Sequence, residues 1–514
     1  MLKFLVLKDG RPASDWPIRN AYLIGSDGHA IRSKVSFSHG MVCFDNRENG
    51  SVSAMLQQEV GECGELTLQT CLLPHRDDPY LLNVELARHR LLVLYNKLED
   101  WGMFDLGPSH VVTKRAELGR KKFIEAVSLQ SEDPAKSDKL AMESLVASIN
   151  GSEELAMAHA ELLLNRRKTA AALPKHPFGC GMAMELTNEG VRGGMLDKLD
   201  FLRLPVSWQS LAPVEGEYSW DVLDNWAQWL LRHRVPIVAG PLINYEPGQV
   251  PDWLFIWEHD FETLRDLTYE HVEEVVKRYR HVVSAWNVVS GLHLNSHFSF
   301  SFDQILDLTR MTTLQVKDVH PTAKVFVEIR EPFGEYFSQN QRSIPPLMYA
   351  DLLIQGGINF DGFVVKLFMG QSQSGQYTRD LLQISNLLDQ FATLGKPVHL
   401  TMGVPSGLVP ASVSHERGKP RDENCGHWRK SWSQATQAHW LAAVCQIGLS
   451  KPFVESVAWQ DLFDHARTEL PLGGLLAQNL QPKGAFGRLI AIRRQLLGQP
   501  VKVEKNMEAE STQL

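Results

Sequence analysis

Five acidic residues stand where short apolar runs end: Glu185, Glu246, Glu328, Glu331 and Asp461. Carboxyls in pairs do general acid and base chemistry, one protonating a leaving group while the other acts as base or nucleophile. Glu328 lies in Val325-Phe326-Val327-Glu328-Ile329-Arg330-Glu331, where an ionised group on an apolar strand needs a partner. Arg330 and Lys366 are the candidate partners, and a structural ion pair outweighs catalysis as the reading of that segment. Aromatic residues recur at the same strand ends. Trp208, Tyr245, Trp253, Trp286, Trp459 and Phe463 could stack on sugar faces, although most aromatics of a barrel are core. His293 and His297 have an H-x-x-x-H spacing without H-E-x-x-H or a third ligand, and Cys425-Gly426-His427 is no stronger, so no metal is expected. No P-loop, nucleophile elbow or cofactor fingerprint occurs, so no cofactor is expected.

These residues belong to a repeating pattern. From about residue 176, apolar β-like runs alternate with amphipathic helices, the arrangement of a parallel sheet with crossover helices. Eight runs are found: 178–184, 201–208, 236–243, 283–290, 324–329, 362–368, 397–403 and 454–463. Between them, Val222, Trp226, Trp229 and Leu230 form one helical stripe; Val272, Val275, Val276 and Tyr279 form another; Ile384, Leu387, Leu388 and Phe391 form a third. Eight units over residues 176–500 predict a (β/α)8 TIM barrel, with its site at the C-terminal ends of the strands. A doubly wound open sheet is disfavoured because no G-x-G-x-x-G follows the first strand.

Two regions precede the barrel. Residues 1–112 hold short β-like segments separated by turn signals such as Asp9-Gly10 and Ser26-Asp27-Gly28, which predicts a small β-sandwich, possible as a carbohydrate-binding module or as structural packing. Its expected strands include residues 80–86. Residues 113–175 turn helical, with Met142, Leu145, Val146 and Ile149 on one face, and Asn150-Gly151 predicts a break before a new N-cap at Ser152. A helical hairpin linker is expected. Residues 501–514 read as a polar tail.

With 44% hydrophobic and 22% charged residues the composition is globular, and a net charge of −8 without a dense basic face excludes a general nucleic-acid binder. The apolar stretch at Met1–Asp9 is too short for a secretory core and reads as a first strand. No run of about 18 apolar residues exists, so no membrane span is expected, and six scattered cysteines fit a cytoplasmic protein with reduced thiols.

Several segments taken together resemble family 10 glycoside hydrolases. Trp286-Asn287-Val288-Val289-Ser290-Gly291 resembles the family's W-D-V-V-N-E, which ends in the acid/base glutamate; Leu400-Thr401-Met402-Gly403-Val404 resembles its I-T-E-L-D, which carries the nucleophile. Trp208 with Pro213, Gly216 and Tyr218, then Gly240 to Trp253, then His320-Pro321-Thr322-Ala323-Lys324, then Trp459 with Asp461 and Gln481 to Phe486 match the family's remaining motifs in order. The resemblance therefore implies that Gly291 and Met402 replace the two catalytic glutamates. It also implies that Pro241, Ser290, Arg203, Leu204, Ser207 and the Lys366-Leu367-Phe368 run replace residues that hold the reacting sugar.

A barrel of carbohydrate recognition or metabolism is thus expected, without the family's hydrolysis and acting as a glycan-binding or scaffold protein. An oligo- or polysaccharide is the expected partner, with Trp208, Tyr245, Trp253, Trp286, Asn287, Lys366 and Trp459 as its contacts. One alternative is hydrolysis by displaced acids drawn from Glu246, Glu328, Glu331 and Asp461; another is a purely structural role. Residues 415–432, including His427, Trp428, Arg429 and Trp432, are expected to form a lid over the mouth.

Overall fold

The computed structural model describes residues 1–497 except 48–49, 185, 187–192, 195–196, 247, 372–374, 409–423 and 466–467. Glu185, His415 and the tail at 501–514 lie outside the described residues.

All eight expected β-runs contain barrel strands: Phe178–Gly181, Phe201–Leu204, Ile237–Ala239, Ala285–Ser290, Lys324–Ile329, Gly362–Phe368, Val398–Gly403 and Val454–Trp459. Each pairs in parallel with the next, and the eighth closes on the first through Phe178↔Val457 and Cys180↔Trp459. The fold is a (β/α)8 barrel. Strands such as Ala285–Ser290 and Gly362–Phe368 are buried along their whole length and largely apolar because both faces are covered, the axis on one side and helices on the other. Side chains alternate between those two environments. Arg203, Asn287, Glu328, Lys366 and Thr401 turn to the axis, where they meet one another. Trp459 has the opposite parity and packs edge-on against Trp440 of the helix Gln434–Ser450, with ring centroids 6.4 Å apart.

The three helical stripes form Asp221–His233, Phe261–Tyr279 and Leu381–Ala392, and their apolar residues are buried except Val222, which sits in a first turn and is exposed. Ser301 with Gln304 and Asp380 with Gln383 make capping boxes that fix where the crossover helices Phe302–Val319 and Leu381–Ala392 start.

The N-terminal region contains a four-stranded sheet and four strands of a five-stranded one, beginning with the strand Leu2–Leu5. The segment read as a strand over 80–86 is extended only at Tyr80–Leu81; from Leu82 it is helix α1, Leu82–Asp100. Its apolar residues suit either state, and Glu85, Ala87 and Leu91 favour helix once Val84 and Leu94 find a helical core. Two more helices come next over the stretch read as a helical hairpin, α2 at Val111–Leu129 and α3 at Pro134–Thr169, so that α1 stands ahead of them as an extra helix. The break expected at Asn150-Gly151 is absent because tertiary partners satisfy its polar groups. Asn150 donates to Glu62 at 2.7 Å, Ser152 donates to the Ile149 carbonyl at 2.9 Å, and Gly151 lies where a Cβ would stand 3.0 Å from the Arg115 Cβ.

The helical layer and the sheets are fastened to the barrel by buried charge. Arg90 of α1 pairs with Asp380, Arg429 pairs with Glu153 of α3, and Arg379 pairs with Glu335 beneath the sheet residue Tyr22. His427–Trp428 is the fifth, edge strand of the five-stranded sheet, pairing antiparallel with Gly64 and Glu65. His427 and Trp428 are therefore a tether and not part of a lid, and residues 415–423 of the expected lid lie outside the described residues. Trp428 donates its indole N–H to Glu153 at 2.7 Å and Trp432 donates to the Gly426 carbonyl at 2.9 Å, which commits both rings to the interface.

Candidate functional site

The axis of the barrel, near the C-terminal ends of its strands, is occupied by an ion cluster. Glu328 lies at its centre and is fully buried. Its Oε2 accepts from the Arg203 guanidinium at 2.8 Å and from Asn287 Nδ2 at 3.0 Å; its Oε1 accepts from Ser290 Oγ at 2.6 Å and lies 3.9 Å from Lys366 Nζ. Burial pushes the carboxyl upward, but Lys366, Arg203 and the Ser290 hydroxyl together hold its pKa at about 2. A group so held is a permanent anion. The ion-pair reading of this segment is the one the geometry supports, with Lys366 as a partner and Arg203 as the closer one.

Lys366 is shared. Its ammonium also donates to Glu469 Oε2 at 2.5 Å, and Arg330 donates to Glu469 Oε1 at 2.6 Å. Burial raises the Glu469 pKa, and Arg330 and Lys366 outweigh it and bring the carboxyl below its ordinary value. Glu469 sits in the loop after the last strand, and that loop lies over the mouth. Gln371 donates to the Glu469 carbonyl at 3.0 Å, and the fully buried Leu470 lies where a Cβ on Gly403 would come within 2.8 Å of it. The sequence reading missed Glu469 altogether. A usable signal existed: Arg203, Lys366 and Arg330 cluster at the inner strand ends with one certain counter-charge, Glu328, and buried cations require more.

Two of the other nominated acids, Glu246 and Glu331, lie near Arg330. Burial works against its charge, but Glu469, Glu246, Glu331 and Glu328 stabilise it. Glu246 accepts from Ser296 Oγ at 3.1 Å, and Glu331, with a left-handed backbone at φ 44°, packs against Gly375. Asp461 accepts from Thr468 Oγ1 at 2.5 Å, on the same loop as Glu469.

Gly291 comes directly after the fourth strand with φ 68°, a conformation that L side chains disfavour, and a Cβ there would stand 2.9 Å from Arg330 Cδ. The Arg330 side chain thus occupies the space into which a longer residue 291 would grow. Met402 is fully buried, paired in the ladder between Leu367 and Trp459. Thr401, one residue before it, bonds Arg203 on the axis, so alternation turns Met402 to the helix layer.

The expected sugar-stacking aromatics are mostly core, which corrects that expectation. Trp286 and Trp459 are fully buried because their strand parity points them at helices; Trp286 donates to His320 at 3.2 Å and Trp459 to the Gly473 carbonyl at 2.7 Å. Trp208 is buried in a stack on His271, and Tyr245 is buried against Thr268 and Phe298. Phe463 is buried as well. Trp253 alone of the six is partly exposed, on the turn Asp252–Trp257. Asn287 gives its Nδ2 to Glu328 while its buried Oδ1 has no hydrogen-bond partner, and Lys366 is held between Glu328 and Glu469. His293 donates its Nε2–H to the Arg330 carbonyl at 3.0 Å and stacks on Tyr349, while His297 lies edge-on to Phe255. Among the described residues no group of three His, Cys, Asp or Glu is placed to hold a metal ion, and no helix is long and apolar enough to cross a membrane.

Residues 205–302, which run from the end of the second strand past Gly291, match the sequence model of Glycosyl hydrolase family 10. Over that stretch the chain is similar to that family. Endo-1,4-beta-xylanase A of Xylanibacter ruminicola is 24% identical over 196 residues, covering 37% of this chain and 50% of the relative. Endo-1,4-beta-xylanase 5-like of Arabidopsis thaliana is 21% identical over 231 residues, covering 44% and 39%. The chain thus spans half or less of the length of these relatives. Among solved structures, a family 10 endoxylanase retrieved from a sugarcane soil metagenome has 17% identity and a TM-score of 0.47, covering 64% of this chain and 99% of that one.

Proposed function

We propose that this family 10-like barrel acts in carbohydrate recognition or metabolism without cleaving glycosidic bonds, as a pseudoenzyme whose barrel serves as a scaffold. The observation that carries this reading is the Glu328–Lys366–Glu469 cluster, which fills the axis where a sugar would have to lie between two carboxyls. A general acid must be protonated near working pH, which demands a raised pKa. Glu328 is driven the opposite way, and both of its oxygens are already taken by donors. Hydrolysis by displaced acids loses its leading candidate on that ground. Gly291 and Met402 support the same conclusion, since one has no side chain and the other is turned from the axis. Xylohexaose incubated overnight with the protein is expected to be recovered intact by chromatography. Shortened products that disappear in a Glu328→Gln or Asp461→Asn variant would restore the hydrolase reading.

A glycan-binding role is favoured by one further feature. The turn Asp252–Trp257 presents partly exposed Trp253, Phe255 and Trp257 around Ile256, which is 75% exposed. Aromatic faces on a surface turn suit sugar stacking. Calorimetric titration with xylohexaose tests it: binding that Trp257→Ala abolishes supports recognition at this turn, and no binding leaves the scaffold role alone.

A further inference from the structure

Below the ion cluster, toward the N-terminal ends of the strands, lies a cavity of about 610 Å³. Barrel interiors are ordinarily packed by layers of bulky branched side chains. Here the layer contains Val238, Ala285, Val364 and Ala458 between the walls Phe201 and Phe326, and these side chains leave the axis unfilled. Four of the lining residues, Val238, Ala285, Phe326 and Val364, form an apolar cluster separate from the main core. The volume falls within the roughly 300–1,000 Å³ of small-molecule sites.

Polar groups converge on one side of this cavity. His399 lines it with its ring over Phe326, Nδ1 lies 2.8 Å from Ser456 Oγ, and the buried Nε2 has no hydrogen-bond partner. With Ser456 donating to Nδ1, the ring proton sits on Nε2. Burial, then Lys324 and Arg203, keep the ring's pKa down at about 4, so it is neutral near pH 7. Lys324 and Lys175 stand at the rim, and Glu455, the single acid among the lining residues, comes no nearer to Nε2 than 3.9 Å. Arg167, also at the rim, is engaged by the carbonyls of Leu449 and Lys451 at 2.7 Å each.

We propose that this cavity binds a single-chain aliphatic carboxylate, its chain lying along the barrel axis among Val238, Ala285 and Val364 and its head between Lys324 and His399 Nε2. The apolar stretch of wall suits an aliphatic chain better than a sugar, and the basic rim selects an anion over an alcohol. The site is separate from the glycan reading and stands on different residues.

Calorimetric titration of the full chain with decanoate, kept below its micellar concentration, tests the assignment. One-to-one binding is expected, weakened about tenfold by Lys324→Glu and by the change of ligand to decanol, each of which removes an ionic contact at a solvent-facing rim. Ala285→Phe, which fills the cavity, is expected to abolish it. No saturable binding of decanoate, equal binding of decanol, or binding unaltered by Lys324→Glu overturns the proposal. If Ala285→Phe does not fold by circular dichroism, the surface variant Lys324→Glu decides alone.

Discussion

Replacing Glu328 with glutamine is expected to destabilise the protein by about 3–5 kcal/mol, the usual cost of removing one partner from a buried ion network. The amide keeps the shape and can still accept from Ser290 or Arg203. It cannot neutralise Arg203 and Lys366; Lys366 keeps Glu469, and Arg203 loses the carboxylate it is bound to. The effect depends on pH in a definite direction. Because the folded-state pKa of Glu328 is depressed from 4.5 to about 2, its ionisation contributes stability that is complete above about pH 4.5 and is lost as pH falls through about 2. That shift corresponds to about 3 kcal/mol. Chemical denaturation of both proteins across this range should therefore show a wide gap at neutral pH that narrows below pH 4.5. A gap that stays constant down to pH 3, or no gap at pH 7, would contradict the structural role of the cluster.

Restoring a glutamate at Gly291 is expected to cost stability and to gain no hydrolysis. A non-glycine residue at φ 68° pays about 1–2 kcal/mol, and the new Cβ, 2.9 Å from Arg330 Cδ, adds an overpacking cost of about 1–3 kcal/mol. Arg330 cannot simply swing aside, because its guanidinium is bound to Glu469 and its surroundings hold three further carboxylates. Gly291→Ala separates the two contributions, since it carries the backbone penalty and the first atom of the clash without the new charge. Both variants are read by urea denaturation, with xylohexaose turnover measured alongside. A Gly291→Glu protein as stable as the parent would mean that Arg330 is not fixed, and one that cleaved the oligosaccharide would mean that the mouth admits substrate.

The barrel was legible because its signal is repetitive: apolar runs such as Val325–Ile329 and stripes such as Ile384–Phe391 have periods that only strands and helices satisfy. The N-terminal boundary was not, because residues 82–86 are apolar in a way that suits strand or helix, and only packing against α3 decides. The candidate site was half legible. Glu328 and Lys366 announced themselves as charges inside apolar strands, whereas Glu469 lies in an irregular loop whose path over the mouth has no local code. Trp286 and Trp459 misled for a related reason: a strand end places a residue near the mouth, but a one-residue change of parity decides between the axis and the helix layer. Met402 illustrates the same limit, since matching a motif aligns residue types without fixing which face each one takes.

The central claim, that the barrel axis holds a structural ion cluster and no nucleophile, is tested most directly by a trapping experiment. A 2-deoxy-2-fluoro-xylobioside with an activated leaving group accumulates a covalent glycosyl-enzyme on any retaining enzyme that accepts it, because deglycosylation is slowed more than attachment. Intact-protein mass spectrometry after prolonged incubation is expected to show the unmodified mass. A stoichiometric adduct mapping to Glu328, Glu469 or another carboxylate at the mouth would contradict the claim.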